Sequence, residues 1–329
     1  MILPEPDLRC RNVWAPFSLS IATATVAASL SIVTVPGNFL ISWAVICNPK
    51  GNLKTPFNFL VLNLAIADLI VGVITEPLFV GYHLAEAFGK RSFETHLVAS
   101  MSYFMTSTAS VLGMAALAVN RYQATTTKSD CIQQWKWSRV VPMSVLIWVF
   151  SLCLPFLYLV TGFCRLSFIF VNTAVVSSVF VLVFVYCRIY LALRKHGRKV
   201  QHLRSINEKK KRGRQEERIT ALFILIVVSF LACVVPTLVT SYIINLCHSC
   251  SCFLIHWSRD LSCWFLLFNS ASNQFLYAWR MPPFRRAVET IPVVHLVSRW
   301  FGKNRVKQAP RFIFDDSQRN GKLDRAGLG

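Results

Sequence analysis

Seven long apolar runs decide what this chain can fold into. They cover residues 17–47, 56–82, 95–119, 138–160, 166–193, 219–245 and 253–279. A helix needs about 20 apolar residues to cross bilayer hydrocarbon. Backbone amides cannot stay unpaired in lipid, so only helices and closed barrels can span it. Barrel strands would alternate strictly over segments of about 10 residues, and these runs do not. The expected fold is all-α, a bundle of seven transmembrane helices. The fourth and fifth runs nearly merge. They divide at Thr161-Gly162-Phe163-Cys164-Arg165, where a glycine and a charge interrupt the apolar sequence.

Composition agrees with a membrane chain. Hydrophobic residues make up 54% and charged residues 15% of the 329, against about 45–50% and about 25% in soluble domains. This excludes a disordered chain, a coiled coil and an ordinary soluble enzyme. The net charge of +20 would suggest nucleic acid in a soluble protein, but the spans exclude that partner.

The cations set the direction of insertion. Arg9, Arg11, Lys90, Arg91, Arg165 and Arg259 fall on the N-terminal side of the membrane, and the other 29 of 35 fall opposite. The positive-inside rule then puts the N-terminus outside and the C-terminus in the cytoplasm. The expected organisation is a short outer segment (1–16), the seven-helix domain (17–281), an amphipathic helix on the inner leaflet (282–301) and a disordered tail (302–329). The first span is expected to act as signal and anchor. The basic stretch 194–218 suits anionic lipid and also suits helical extensions that dock a cytoplasmic partner.

Polar residues inside the spans carry the functional signal, because an ionisable group at mid-membrane is expensive. Asp68 and Asn38 sit mid-span, as does Ser110 in span three. Asn269 and Asn273 lie four apart, on one helix face. These groups could act as interhelical hydrogen-bond glue. Together they also form an oxygen set suited to a hard cation such as sodium. At the inner end of span three, Asn120-Arg121-Tyr122 could pair with Glu216 at the start of span six.

These residues resemble rhodopsin-like (class A) G-protein-coupled receptors. One marker falls in each span: Gly37-Asn38, Leu64-Ala65-x-x-Asp68, Asn120-Arg121-Tyr122, Trp148, Tyr186, Phe230-x-x-Cys233-x-x-Pro236 and Asn273-x-x-x-Tyr277 followed by Phe284. The resemblance implies an allosteric sodium site at Asp68, Ser110, Asn269 and Asn273. It implies that Arg121 contacts a heterotrimeric G protein once freed, and that Tyr186 and Tyr277 swing towards it. Glu216 would hold the inactive lock, and Pro236 would be the kink about which span six moves outward.

Departures from the family pattern are equally plain. Asn120 stands where an Asp is usual, Val234 replaces the toggle Trp, Gln274 replaces the Pro of span seven, and Ser178 that of span five. The usual Cys at the outer end of span three falls near His96. The short second outer loop and missing disulfide look like the melanocortin, adenosine and cannabinoid branch. Tyr103 occupies the position where amine receptors carry Asp, which argues against an amine ligand, and Leu267 the position of the opsin lysine, which argues against retinal.

The resemblance implies an extracellular ligand, melanocortin-like peptide or adenosine-like small molecule, entering between the outer halves of the spans. Tyr103, Met105, Thr106, Ser241, Tyr242 and Trp264 are the expected lining. Glu76 is expected to be the lone acid there, unless it only caps a kink at Pro77. In the oxidising outer compartment, Cys247 can pair with Cys250 or Cys252. Cys10 can pair with the remaining one or with Cys164. Tail phosphorylation sites are few (Thr290, Ser298, Ser317), so arrestin engagement is expected to be weak. A polytopic transporter or channel is the alternative, although no internal repeat supports it.

Overall fold

The structure is a computed structural model and describes residues 10, 13–47, 51, 53–90, 93–126, 137–197, 206–247, 249–280, 284 and 287. The side chains of Arg121, Tyr122, Tyr186, Glu216 and Tyr277 lie outside that description, although their backbones are helical. So do Cys164, the tail and, apart from buried Phe284 and Ala287, the expected amphipathic helix.

The described residues form seven helices in the expected order. They are α1 (Phe17–Cys47), α2 (Pro56–Ala87), α3 (Phe93–Thr126), α4 (Trp137–Thr161), α5 (Phe163–Gly197), α6 (Ile206–Leu246) and α7 (Cys252–Arg280). Gly162 separates α4 from α5 with φ of 80°, a left-handed turn that glycine makes without a Cβ penalty. The division read at 161–165 therefore stands. Helices α5 and α6 run beyond the apolar runs to Gly197 and from Ile206, so the basic stretch is partly helical.

Five described segments are long and apolar enough to cross a membrane: Phe17–Cys47, Pro56–Ala87, Glu94–Leu117, Trp137–Thr161 and Ile224–Leu246. In α5 the apolar stretch Arg165–Val181 is shorter. Helix α7 is diluted by Arg259, Asp260, Asn269, Asn273 and Gln274.

Local chemistry explains how α2 begins, bends and ends. Thr55 caps its first turn by accepting from Asn58 N at 3.2 Å, with Pro56 in the first position. Pro77 has no N–H to continue the ladder, and the chain answers with a π turn at Val71–Thr75. There Glu76 N bonds to Val71 O, and the Gly72 carbonyl accepts from Ser31 Oγ at 2.7 Å. At the outer end, Gly89 N reaches Glu86 O and Lys90 N reaches Ala85 O, closing the helix in a Schellman pattern with φ of 71° at Gly89.

Two apolar clusters fill the bundle. The larger packs Leu60, Leu64, Leu117, Ile226 and Phe230 towards the inner end. The smaller packs Phe79, Ala99, Phe104 and Leu267 towards the outer end. Asn63 ties α2 to α4, donating to Ser144 Oγ at 2.8 Å and accepting from Trp148 Nε1 at 3.2 Å. Polar groups lie between and around the two clusters.

Candidate functional site: two cavities and an ionic clasp

Two cavities follow one another along the bundle. The outer one has about 720 Å³ of empty volume and is walled by Tyr82, His83, Tyr103, Ser241, Arg259 and Asp260 among others. The inner one has about 500 Å³ and is walled by Ser110, Phe230, Val234, Asn269 and Ser270 among others. Tyr103, Leu266 and Leu267 belong to both walls. The floor of one cavity is therefore the roof of the other.

Of the seven residues expected to meet a ligand, Tyr103 and Ser241 line the outer cavity. The others face elsewhere. Thr106 Oγ1 donates to its own helix at Ser102 O, and Met105 is half-buried outside both walls. Tyr242 is exposed and ties α6 to α5 by donating to Asn172 Oδ1 at 3.0 Å. Trp264 Nε1 donates to Thr23 Oγ1 on α1 at 3.0 Å.

Glu76 is fully buried and accepts from Thr34 Oγ1 at 3.3 Å, so it faces α1. The π turn explains this. One extra residue in a turn rotates everything after it by about 100°. That rotation puts Phe79, Tyr82 and His83, rather than Glu76, on the outer cavity.

Glu76 is also not the lone acid of the outer half. Glu86 and Asp260 are buried there, beside the half-buried side chain of Arg259. Arg259 donates from Nη1 and Nη2 to Glu86 at 3.0 and 2.8 Å, and from Nε to Asp260 Oδ1 at 2.7 Å. This two-pronged geometry is the strong form of an ion pair. Helix α1 completes it: Ser20 Oγ donates to Glu86 at 3.1 Å and Thr23 Oγ1 to Asp260 at 2.8 Å. The clasp joins the outer ends of α1, α2 and α7. Its sequence signal is the Arg259-Asp260 pair inside the apolar run 253–279.

The expected cation set is brought together only in part by direct contact. Asn273 Nδ2 donates to Asp68 Oδ2 at 3.0 Å, and Ser270 stands beside the carboxylate. Ser110 and Asn269 line the inner cavity. Asp68 Oδ1 and Asn269 Oδ1 are buried without a hydrogen-bond partner. Buried oxygens in that condition need an explanation. Among the described residues, no group of three or more His, Cys, Asp or Glu is placed to hold a metal. Any ion here would rely on amide and hydroxyl oxygens as well.

Along α6, Phe230 and Val234 are buried against the inner cavity. Pro236 stands in the helix two residues on, where it interrupts the hydrogen-bond ladder. Asn120 is buried near the inner end of α3. In α7, Gln274 Nε2 donates to Val33 O of α1 at 2.9 Å.

The outer cysteines resolve the open pairings. Cys247 bonds Cys250 within the third outer loop, and Cys10 bonds Cys252 at the start of α7. His256 Nε2 meets Val13 O at 3.1 Å, so the segment before α1 is tied to α7 twice. His96, where the family's usual Cys would fall, is buried with its ring 4.9 Å from Tyr82.

The sequence matches the 7 transmembrane receptor (rhodopsin family) over residues 37–277, and the chain belongs to that family. It is 24% identical to the dog 5-hydroxytryptamine receptor 1D over 87% of this chain and 92% of that receptor. An octopamine receptor of Bombyx mori is 30% identical over 46% of this chain, and Melanopsin-B of Gadus morhua 26% over 43%. Those two matches span only 32% and 23% of the relatives' own lengths. The crystal structure of squid rhodopsin superposes with a TM-score of 0.69 at 16% identity, covering 91% of this chain and 94% of that one. The fold is thus a rhodopsin-like seven-helix bundle, and family membership implies a multi-pass membrane receptor with a G protein and an extracellular ligand as partners.

Proposed function

We propose that the chain is a plasma-membrane receptor that takes an extracellular ligand in its outer cavity and activates a heterotrimeric G protein through outward movement of α6. The N-terminus lies outside and the C-terminus in the cytoplasm, as the cation distribution and the oxidised cysteines beside α1 both favour. The observation that carries this reading is the wall shared by the two cavities. A ligand touching Tyr103 and Leu267 presses on the same side chains that bound the polar core.

Of the two ligand classes, the adenosine-like small molecule is favoured over the melanocortin-like peptide. The wall of the outer cavity mixes aromatic and aliphatic side chains with a few polar groups, among them Tyr82, Tyr103 and Ser241, the lining that small-molecule sites use. Sodium at Asp68, Ser110, Asn269 and Asn273 acts as a modulator that holds α2, α3 and α7 in one arrangement. Agonist drives the change only through better affinity for the open state. Pro236 is the flexible point of α6, and Arg121 with Tyr122, Tyr186, Glu216 and Tyr277 forms the inner switch that membrane lipids surround and arrestin can meet.

The test is nucleotide exchange on purified G proteins of each class by the receptor in nanodiscs. Exchange that disappears in Arg121→Ala supports the reading. Ion-dependent current with no exchange on any G protein defeats it in favour of a channel.

A further inference from the structure

The two outer disulfides differ in what they join. Cys10–Cys252 links residues 242 positions apart, whereas Cys247–Cys250 links residues 3 apart and closes the short ring Cys-His-Ser-Cys between α6 and α7. A bridge restricts the unfolded chain more, the longer the loop it closes, so the short ring adds little to holding the bundle folded. Cys-x-x-Cys is also the spacing that disulfide oxidoreductases use for bridges that open and close. Access separates the pair further, because exchange needs a thiolate to reach a bridge sulfur. Cys247 and Cys250 are both half-buried. In the long bridge Cys252 is half-buried but Cys10 is only 4% exposed. Cys10 is also held in place, since Val13 N bonds to Cys10 O and Val13 O meets His256 of α7. A long bridge opened at Cys252 would therefore find its partner still beside it.

The short ring stands where two walls of the outer cavity meet. On the α7 side, the clasp and the Cys10 bridge fasten the helix to its neighbours. On the α6 side, the hydroxyls of Thr240 and Ser262 join α6 to α7, and Tyr242 joins it to Asn172 of α5. The last turn of α6 lies beyond both contacts, and its Ile244 and Asn245 line the cavity. Asn245 Nδ2 donates back to Ser241 O at 2.8 Å, and Cys247 N donates to Ile243 O at 3.2 Å. The ring thus begins on the residue whose N–H closes that turn.

We propose that Cys247–Cys250 is a thiol-exchange site, opened by low-molecular-weight thiols of the outer compartment, and that its opening loosens the last turn of α6 against the outer cavity. This goes beyond the receptor reading and does not depend on which ligand the cavity takes. The chemistry is two displacements. A thiolate RS⁻ attacks Sγ of one cysteine; the Cys247–Cys250 bond breaks, a mixed disulfide forms, and the other cysteine leaves as thiolate and takes a proton. A second RS⁻ attacks the R-side sulfur of the mixed disulfide, which forms RS–SR and releases the second cysteine as thiolate, protonated in turn. Two electrons pass to the bridge, two RSH become RSSR, and both cysteines end as thiols. RSSR drives the same steps in reverse.

The experiment uses the full chain in nanodiscs, with free thiols first blocked by N-ethylmaleimide and the protein then held in glutathione buffers of stepped reduced-to-oxidised ratio. New thiols are labelled with isotopically heavy maleimide and located by peptide mass. Cys247 and Cys250 should label about tenfold or more faster than Cys10 and Cys252. Amide hydrogen exchange over residues 241–246 should quicken by about threefold or more once the ring is open, with exchange over residues 17–27 of α1 unchanged. The double variant Cys247→Ser/Cys250→Ser should show the faster exchange with or without glutathione. Both readings are also made on the wild type, so they stand even where the double variant is unstable. On intact cells, a membrane-impermeant maleimide added after glutathione should reach Cys247 and Cys250. Cys10 and Cys252 labelling as fast as the ring, no labelling of the ring in any buffer, amide exchange over 241–246 indifferent to the state of the ring, or labelling only in permeabilised cells would each overturn the proposal.

Discussion

The side-chain amide of Gln274 occupies the space that a β-carbon on Gly37 would need. A methyl added there would stand 1.5 Å from Gln274 Oε1, because Gln274 crosses from α7 to bond Val33 O on α1. A family proline is replaced here by a cross-helix hydrogen bond that only a glycine opposite allows. The atom in the way is the end of a flexible chain, so Gly37→Ala should displace Gln274 rather than split the helices. The expected loss is about 1 kcal/mol, the worth of one buried hydrogen bond. In a Gln274→Ala background the same substitution should cost almost nothing. Thermal unfolding of the four proteins in nanodiscs gives the coupling directly.

The clasp should behave as a buried ion network. Arg259→Met removes the guanidinium that Glu86 and Asp260 share, and loss of one partner from a buried pair costs about 3–5 kcal/mol. Replacing Glu86 as well, in Glu86→Leu/Arg259→Met, removes one carboxylate and leaves Asp260 with its bond from Thr23. The double variant should unfold at a higher temperature than Arg259→Met alone. Equal melting of the single and double variants would show that the carboxylates are hydrated and the clasp is not closed.

How far the sequence could be read follows from what each feature depends on. Span length and apolarity are local properties, so all seven helices and the break at Gly162 could be read directly. Trp148 and Asn38 fell where their markers put them, each with partners on neighbouring helices. The ligand wall was harder, because it depends on helix phase. The π turn at Val71–Thr75 rotates the outer half of α2, which moves Glu76 to α1 and brings His83 to the cavity. The clasp joins residues 173 positions apart, and no local pattern links Glu86 to Arg259. Cys10 had three possible partners in sequence, Cys164, Cys250 and Cys252, and proximity to Cys252 selects one.

The bridge from Cys10 to Cys252 spans 242 residues and fastens the segment before α1 onto α7. Digestion without reductant should yield a peptide containing Cys10 joined to one containing Cys252, and a separate peptide bridged internally between Cys247 and Cys250. Cys10→Ser should leave the second peptide unchanged and lower the unfolding temperature. Its magnitude should be near the about 2–5 kcal/mol seen for loss of a native disulfide. A Cys10–Cys250 peptide in the wild type would contradict the arrangement.

Sodium should stabilise the protein through Asp68. The two unpartnered oxygens, Asp68 Oδ1 and Asn269 Oδ1, are the acceptors available to it. A ligand that binds only the folded state adds RT ln(1 + [L]/Kd), so unfolding temperature should rise with NaCl at constant ionic strength and not with choline chloride. Asp68→Asn removes the charge and keeps an amide oxygen. It should flatten that response while leaving the bundle folded. An undiminished sodium effect in Asp68→Asn would place the ion elsewhere.

Basal signalling is where the inner switch should show its departure from the family pattern. Asn120 is buried at the end of α3 next to Arg121 in sequence, and an amide holds an arginine less firmly than a carboxylate does. A charged hydrogen bond contributes about 1.5–3 kcal/mol against about 1 for a neutral one. Restoring the acid should therefore bias the bundle towards its closed form by about tenfold for each 1.4 kcal/mol of difference. Asn120→Asp is expected to lower agonist-free nucleotide exchange by roughly three- to tenfold, with expression and unfolding temperature unchanged or improved. Output equal to wild type would show that Arg121 is restrained by Glu216 or by packing, and that position 120 takes no part in the switch.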